Sequence, residues 1–143
     1  MKKCLLIFLV YCFSLTVISC GTKDKTSDNT STESSTYSDN GTTFTVTVNS
    51  SKYYIDGILT KSLIIKKGYT YYFDSTDSTT NNHPLFIGTT SSGGSYNYEY
   101  TSGVANSRTT NDTLTFVVPS DSPSTLYYNC GNHVSMGGSI TIN

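Results

Sequence analysis

Residues 126–142 read LYYNCGNHVSMGGSITI. Leu126, Tyr128 and Cys130 alternate with Tyr127 and Asn129, the period of a strand with one face turned inward. Ile140 and Ile142 repeat that period on a final short strand. The loop between them carries Cys130, His133 and Met136 in C-x2-H-x2-M spacing, and Gly131, Gly137 and Gly138 permit a tight path. A thiolate, an imidazole and a thioether are soft or borderline donors, and together they suit copper better than other biological metals. Zinc would use the cysteine and imidazoles with a water and leave Met136 without a role. A trigonal copper site needs a second imidazole, and the chain has one other histidine, His83, in NNHPLFIG.

Working outward, the same alternation recurs along the chain. Phe44, Val46 and Val48 alternate with threonines; residues 49–51 (Asn-Ser-Ser) form a turn; residues 52–55 are a second strand closed by the hairpin dipeptide Asp56-Gly57. Residues 63–65 continue the pattern, Lys67-Gly68 turns the chain, and residues 70–74 carry Tyr71 and Phe73 on one face. Residues 74–82 are polar and predict a loop. His83, Leu85 and Ile87 share one face of the next strand. Residues 91–111 form a long Gly/Ser/Thr/Asn-rich connection containing Tyr96, Tyr98 and Tyr100, read as one face of an irregular edge strand. Leu114, Phe116 and Val118 alternate before Pro119. No helical period and no internal repeat is visible. The expectation is an all-β fold, a Greek-key β-sandwich or barrel of about eight antiparallel strands.

Charged residues make up 13% of the 143-residue chain and the formal net charge is −1, so no basic patch points to nucleic acid. Met1-Lys2-Lys3 precedes an apolar run over residues 5–18, shorter than the roughly 20 residues of a spanning helix. Val17-Ile18-Ser19-Cys20-Gly21 ends that run and resembles the bacterial lipobox. The resemblance implies cleavage before Cys20 and lipid on its thiol and new amino terminus, anchoring the protein without a spanning helix. Residues 21–43 contain no aliphatic residue and no phenylalanine, so this segment cannot bury enough apolar surface to offset the entropy of ordering. The organisation expected is a signal peptide at 1–19, a lipidated cysteine and flexible polar tether at 20–43, and a folded domain at 44–143. At about 5–6 Å times the square root of its length, the tether reaches a few nanometres from the lipid.

If the strands of His83 and Cys130 are antiparallel neighbours, the start of one and the end of the other lie at the same end of the sandwich. His83 and Cys130 then point inward from that end, with His133 and Met136 in the loop above. A trigonal Cys-His-His set with a weak axial methionine is the blue-copper pattern, and with all four positions taken by protein no place is left open for a substrate. No Ser-His-Asp set or carboxylate pair competes for the two histidines, and the chain reads as a non-enzyme.

At this point the sequence resembles the cupredoxins, blue copper proteins of the plastocyanin, amicyanin and pseudoazurin kind, over residues 44–142. Residues 126–142 are similar to that family's C-terminal ligand loop, and KKGYTYYFD followed by NNHPLFIG resembles its glycine turn, strand and first ligand histidine. The resemblance implies His83 and His133 as imidazole ligands, Cys130 as thiolate and Met136 as axial ligand of one type 1 copper ion. It also implies a surface position for His133, where electrons enter or leave. Two positions depart from the family: Pro84 follows the first histidine where many members have Asn, and Asn132 precedes the second where many have Pro. The hydrogen bonds around the ligands are therefore expected to differ from the family's.

Two function classes follow. One is a membrane-tethered carrier of single electrons at a bacterial cell envelope, on the periplasmic or cell-surface side, monomeric and served by a redox protein such as a cytochrome or oxidase. The other is a copper capture or delivery module, or a cell-surface interaction module, since similar wording occurs in cupredoxin-like modules of large secreted or surface proteins.

Overall fold

The computed structural model describes residues 41–143. The expected signal peptide, Cys20 and nearly all of the expected tether lie outside the described residues. Among the described residues, ten strands form two sheets. They are β1 (Thr42–Asn49), β2 (Lys52–Ile55), β3 (Ile58–Leu59), β4 (Leu63–Ile65), β5 (Thr70–Asp74), β6 (Leu85–Gly88), β7 (Val104–Ala105), β8 (Thr113–Val117), β9 (Thr125–Cys130) and β10 (Gly138–Ile142). The larger sheet runs β3-β2-β1-β5-β8-β7 and the smaller β4-β10-β9-β6.

The alternating residues build the core as their period requires. Phe44, Val46, Tyr53, Ile55, Tyr71, Phe73, Leu114 and Phe116 come from the larger sheet, and Leu63, Ile65, Leu85, Ile87, Leu126, Tyr128, Ile140 and Ile142 from the smaller. All belong to one buried cluster, the bulk of the driving force for a β-sandwich. The turns obey local chemistry. Asp56 and Gly57 have φ of +52° and +78°, the paired positive values that a two-residue turn between right-twisted strands needs. Ser50 and Ser51 do the same between β1 and β2, at φ of +49° and +58°.

Two expectations need correction. The sheets are mixed, not antiparallel throughout: β1 pairs β5 in parallel and β10 pairs β4 in parallel. The period of a strand says which side chains share a face but nothing about which strand lies alongside, so parallel neighbours were invisible locally. His83 also does not open a strand. A 3-10 turn at Ser78–Thr80 ends just before it, with the His83 N–H donating to the Thr80 carbonyl at 2.8 Å, and β6 begins at Leu85. Pro84 has no N–H to give a ladder, so pairing starts one residue later.

Candidate metal centre

β6 and β9 run antiparallel, with Leu85 opposite Cys130 and Ile87 opposite Tyr128. Leu85 and Ile87 face the core beside Tyr128 and Cys130. His83, two residues before Leu85, is thereby held at the end of the sandwich where β9 delivers Cys130. The donor atoms of His83, Cys130 and His133 lie within 4.8 Å of one another. His83 Nδ1 is 3.9 Å from Cys130 Sγ and His133 Nδ1 is 3.6 Å from it. The two imidazole rings meet at 42°, their centroids 4.8 Å apart. Cys130 is a free, fully buried thiol, His83 is half-buried and His133 is exposed, so the cluster grades from core to surface.

Metal–sulfur bonds of about 2.3 Å and metal–nitrogen bonds of about 2.0 Å, at tetrahedral or trigonal angles, set donors about 3.5–3.8 Å apart. The His133 distance of 3.6 Å falls inside that range, and the His83 distance of 3.9 Å lies just beyond its upper end. Both rings turn Nδ1 toward the sulfur, which leaves Nε2 on the far side, and His133 carries that edge at the surface. Burial, and after it the charge of His133, hold the His83 pKa below its usual value, favouring the neutral imidazole that a metal binds. Met136 lies in the same core cluster at 1% exposure, and its carbonyl accepts the Tyr53 N–H at 2.9 Å. The structure thus brings His83, Cys130 and His133 together directly, and buries Met136, three residues after His133, in the same core cluster as Cys130.

The two departures noted above have a structural counterpart. Asn132 Nδ2 donates to the Asn82 carbonyl at 3.0 Å, and the Gly131 N–H donates to the Pro84 carbonyl at 2.8 Å. The tie between the histidine loops is therefore made from the second loop, by Asn132, where many cupredoxins make it from the first.

Sequence reading missed a brace on the outer side. The Gly94 N–H donates to the Cys130 carbonyl at 2.8 Å, the Ser135 N–H to the Ser92 carbonyl at 2.9 Å, and Asn129 Nδ2 to the Thr90 carbonyl at 2.8 Å. Gly93 and Gly94 adopt φ of +63° and +72° against this loop, and a Cβ on Gly93 would come within 2.8 Å of the His133 carbonyl. Tyr96 covers Gly131, where a Cβ would fall 2.1 Å from its hydroxyl, and packs edge-on against Phe86. Arg108 stacks 4.2 Å above the Tyr96 ring and pairs with Glu99 through Nε at 3.0 Å and Nη2 at 2.6 Å. Of the three tyrosines read as one face, Tyr96 braces the loop, Tyr98 is exposed, and Tyr100 packs edge-on against Phe116. The sequence signals were the Gly93-Gly94 pair and the tyrosines, with nothing local to say which surface they covered.

No protein-family model matches the chain, and no curated protein matches it. Solved structures with a similar chain path include the copper protein rusticyanin, at TM-score 0.47 and 14% identity over 75% of this chain and 81% of that one. Rusticyanin from Thiobacillus ferrooxidans gives 0.45 and 14% over 75% and 80%, and reduced rusticyanin gives 0.45 and 13% over 75% and 83%. At such scores the likeness does not by itself define a family. What stands on the chain's own geometry is a β-sandwich with a cysteine and two histidines gathered at one end, the layout that the cupredoxin resemblance implies. That cluster is consistent with a type 1 copper site.

Proposed function

We propose that this protein is a blue copper protein that holds one copper ion through His83, Cys130, His133 and Met136 and carries single electrons. The observation that carries the reading is the meeting of the His83, Cys130 and His133 donor atoms within 4.8 Å of one another. Bound there, copper supplies a one-electron couple between Cu(II) and Cu(I), for which thiolate and thioether favour the reduced ion and imidazole serves both. The chain's own residues do the rest. Cys130 and Met136 lie in the core, which excludes water and substrate. Ties from Asn132, Gly94 and Gly131 hold the donors in one geometry, so little has to move when an electron arrives or leaves. Exposed His133, with Val134 beside it at 69% exposure, supports contact with a redox protein such as a cytochrome or oxidase at this end. Lipid on Cys20 would keep the domain on the periplasmic or cell-surface side of a bacterial membrane.

Titration of the purified protein with Cu(II) tests this. The expected result is an intense blue colour that bleaches on reduction, reaches one copper per chain, and is lost in Cys130→Ser. A colourless complex, or one that forms with Cu(I) alone, would replace the carrier by a copper capture or delivery module.

A further inference from the structure

All the elements carrying the proposed ligands belong to or border the smaller sheet. Strand β2 of the larger sheet reaches across to them, chiefly through one residue. Tyr53, in β2, is fully buried. Its hydroxyl donates to the His83 carbonyl at 2.6 Å. Its backbone N–H donates to the Met136 carbonyl at 2.9 Å. The neighbouring Lys52 Nζ donates to the Ser135 carbonyl, so two successive residues of β2 hold two successive carbonyls of the ligand loop. Ser135 takes a φ of +57°, a left-handed turn that presents those carbonyls. The His83 and Met136 carbonyls therefore meet one side chain and its own amide.

We propose that Tyr53 is a positioning residue of the metal centre, fixing the His83 loop against the Met136 loop across the sandwich before any metal binds. This rests on the copper reading for its consequence but not for its geometry. Such an outer partner orients a ligand's backbone, and its loss typically lowers metal affinity by about 10–100-fold.

Tyr128 supplies the control. It is equally buried, its ring lies 6.3 Å from that of Tyr53, and its hydroxyl donates to the Lys61 carbonyl at 2.9 Å. Tyr53→Phe and Tyr128→Phe each remove one buried phenol bond and keep the ring, but only the first releases a proposed ligand's backbone. The test uses the purified full chain, with hydrogen exchange read by mass spectrometry in the metal-free state and Cu(I) affinity by competition. Expected is faster exchange over residues 81–85 and a loss of Cu(I) affinity of about tenfold or more in Tyr53→Phe, with neither change in Tyr128→Phe. Equal behaviour of the two variants in both measurements overturns the proposal. If the wild type binds no copper, the copper reading fails on its own, and the exchange contrast alone decides whether Tyr53 ties the loops. Should Tyr53→Phe not fold, the wild-type Tyr53 hydroxyl proton decides. A slowly exchanging NMR signal with a contact to His83 supports the tie, and its absence overturns it.

Discussion

Gly137 follows Met136 directly, and its replacement by alanine tests how the ligand loop is held. Gly137 does not have a positive φ among the described glycines, so alanine could adopt its backbone. Space is the obstacle: an added Cβ would lie 1.6 Å from the Tyr128 carbonyl oxygen and 2.7 Å from its carbon. To reach even a 3.0 Å contact the atoms must part by about 1.4 Å, and both belong to backbone. Tyr128 is paired with Gly138 across the β9–β10 ladder, so the parting has to open that ladder at the end that delivers Cys130. Overpacking costs about 1–3 kcal/mol and each weakened backbone hydrogen bond about 1 kcal/mol, together about 3 kcal/mol or more. Gly57 is the contrasting position, with open space around its missing Cβ but a φ of +78°. Gly57→Ala should cost only the left-handed strain of about 1 kcal/mol. With a urea slope of about 2 kcal/mol/M, the metal-free midpoint should fall by about 1.5 M for Gly137→Ala and about 0.5 M for Gly57→Ala. A Gly137→Ala midpoint at or above that of Gly57→Ala would refute the reasoning that close strand approach fixes the Met136 end of the loop.

Other outcomes follow from the same contacts. Asn132→Ala removes the bond to the Asn82 carbonyl and should cost about 0.5–1.5 kcal/mol in urea denaturation while lowering Cu(I) affinity several-fold. For Glu99, burial raises the pKa, but hydrogen bonds from Arg108 and Ser107 outweigh it and leave the carboxyl below its usual 4.5. The unfolded chain then binds the proton more readily, so this stabilisation is present above pH 4.5 and is lost as the pH falls below it. Glu99→Gln should flatten the acid limb of a melting-temperature profile. Cys20→Ser, expressed in a bacterial host, should move the protein from the membrane fraction to the soluble fraction and abolish a lipid-sized mass addition at the amino terminus.

The lone histidine in NNHPLFIG and the C-x2-H-x2-M loop were legible because local chemistry and spacing carry them. The alternation of Leu85 with Ile87, and of Leu126 and Tyr128 with Cys130, also stated which face would be inward. Pro84 was legible as a departure, though its effect on where β6 begins emerged only once the ladder was seen. Tyr53 was not legible as part of the site: it reads as one more apolar position of a short strand, about 30 residues from His83 and more than 80 from Met136.

The sequence by itself determined most of the longer strands, their inward faces and the donor types, because these follow from period, turn residues and side-chain chemistry within a few neighbours; the two-residue strands at Ile58–Leu59 and Val104–Ala105 are too short to show a period. The tertiary structure alone decided which strands lie side by side, that Asn132 makes the loop tie, that residues 90–96 brace the outer side, and that Tyr53 reaches the ligand loops from the opposite sheet. Those contacts join residues far apart in the chain through carbonyl and amide groups that every residue possesses, and so leave no mark on the residue types that a local reading can follow.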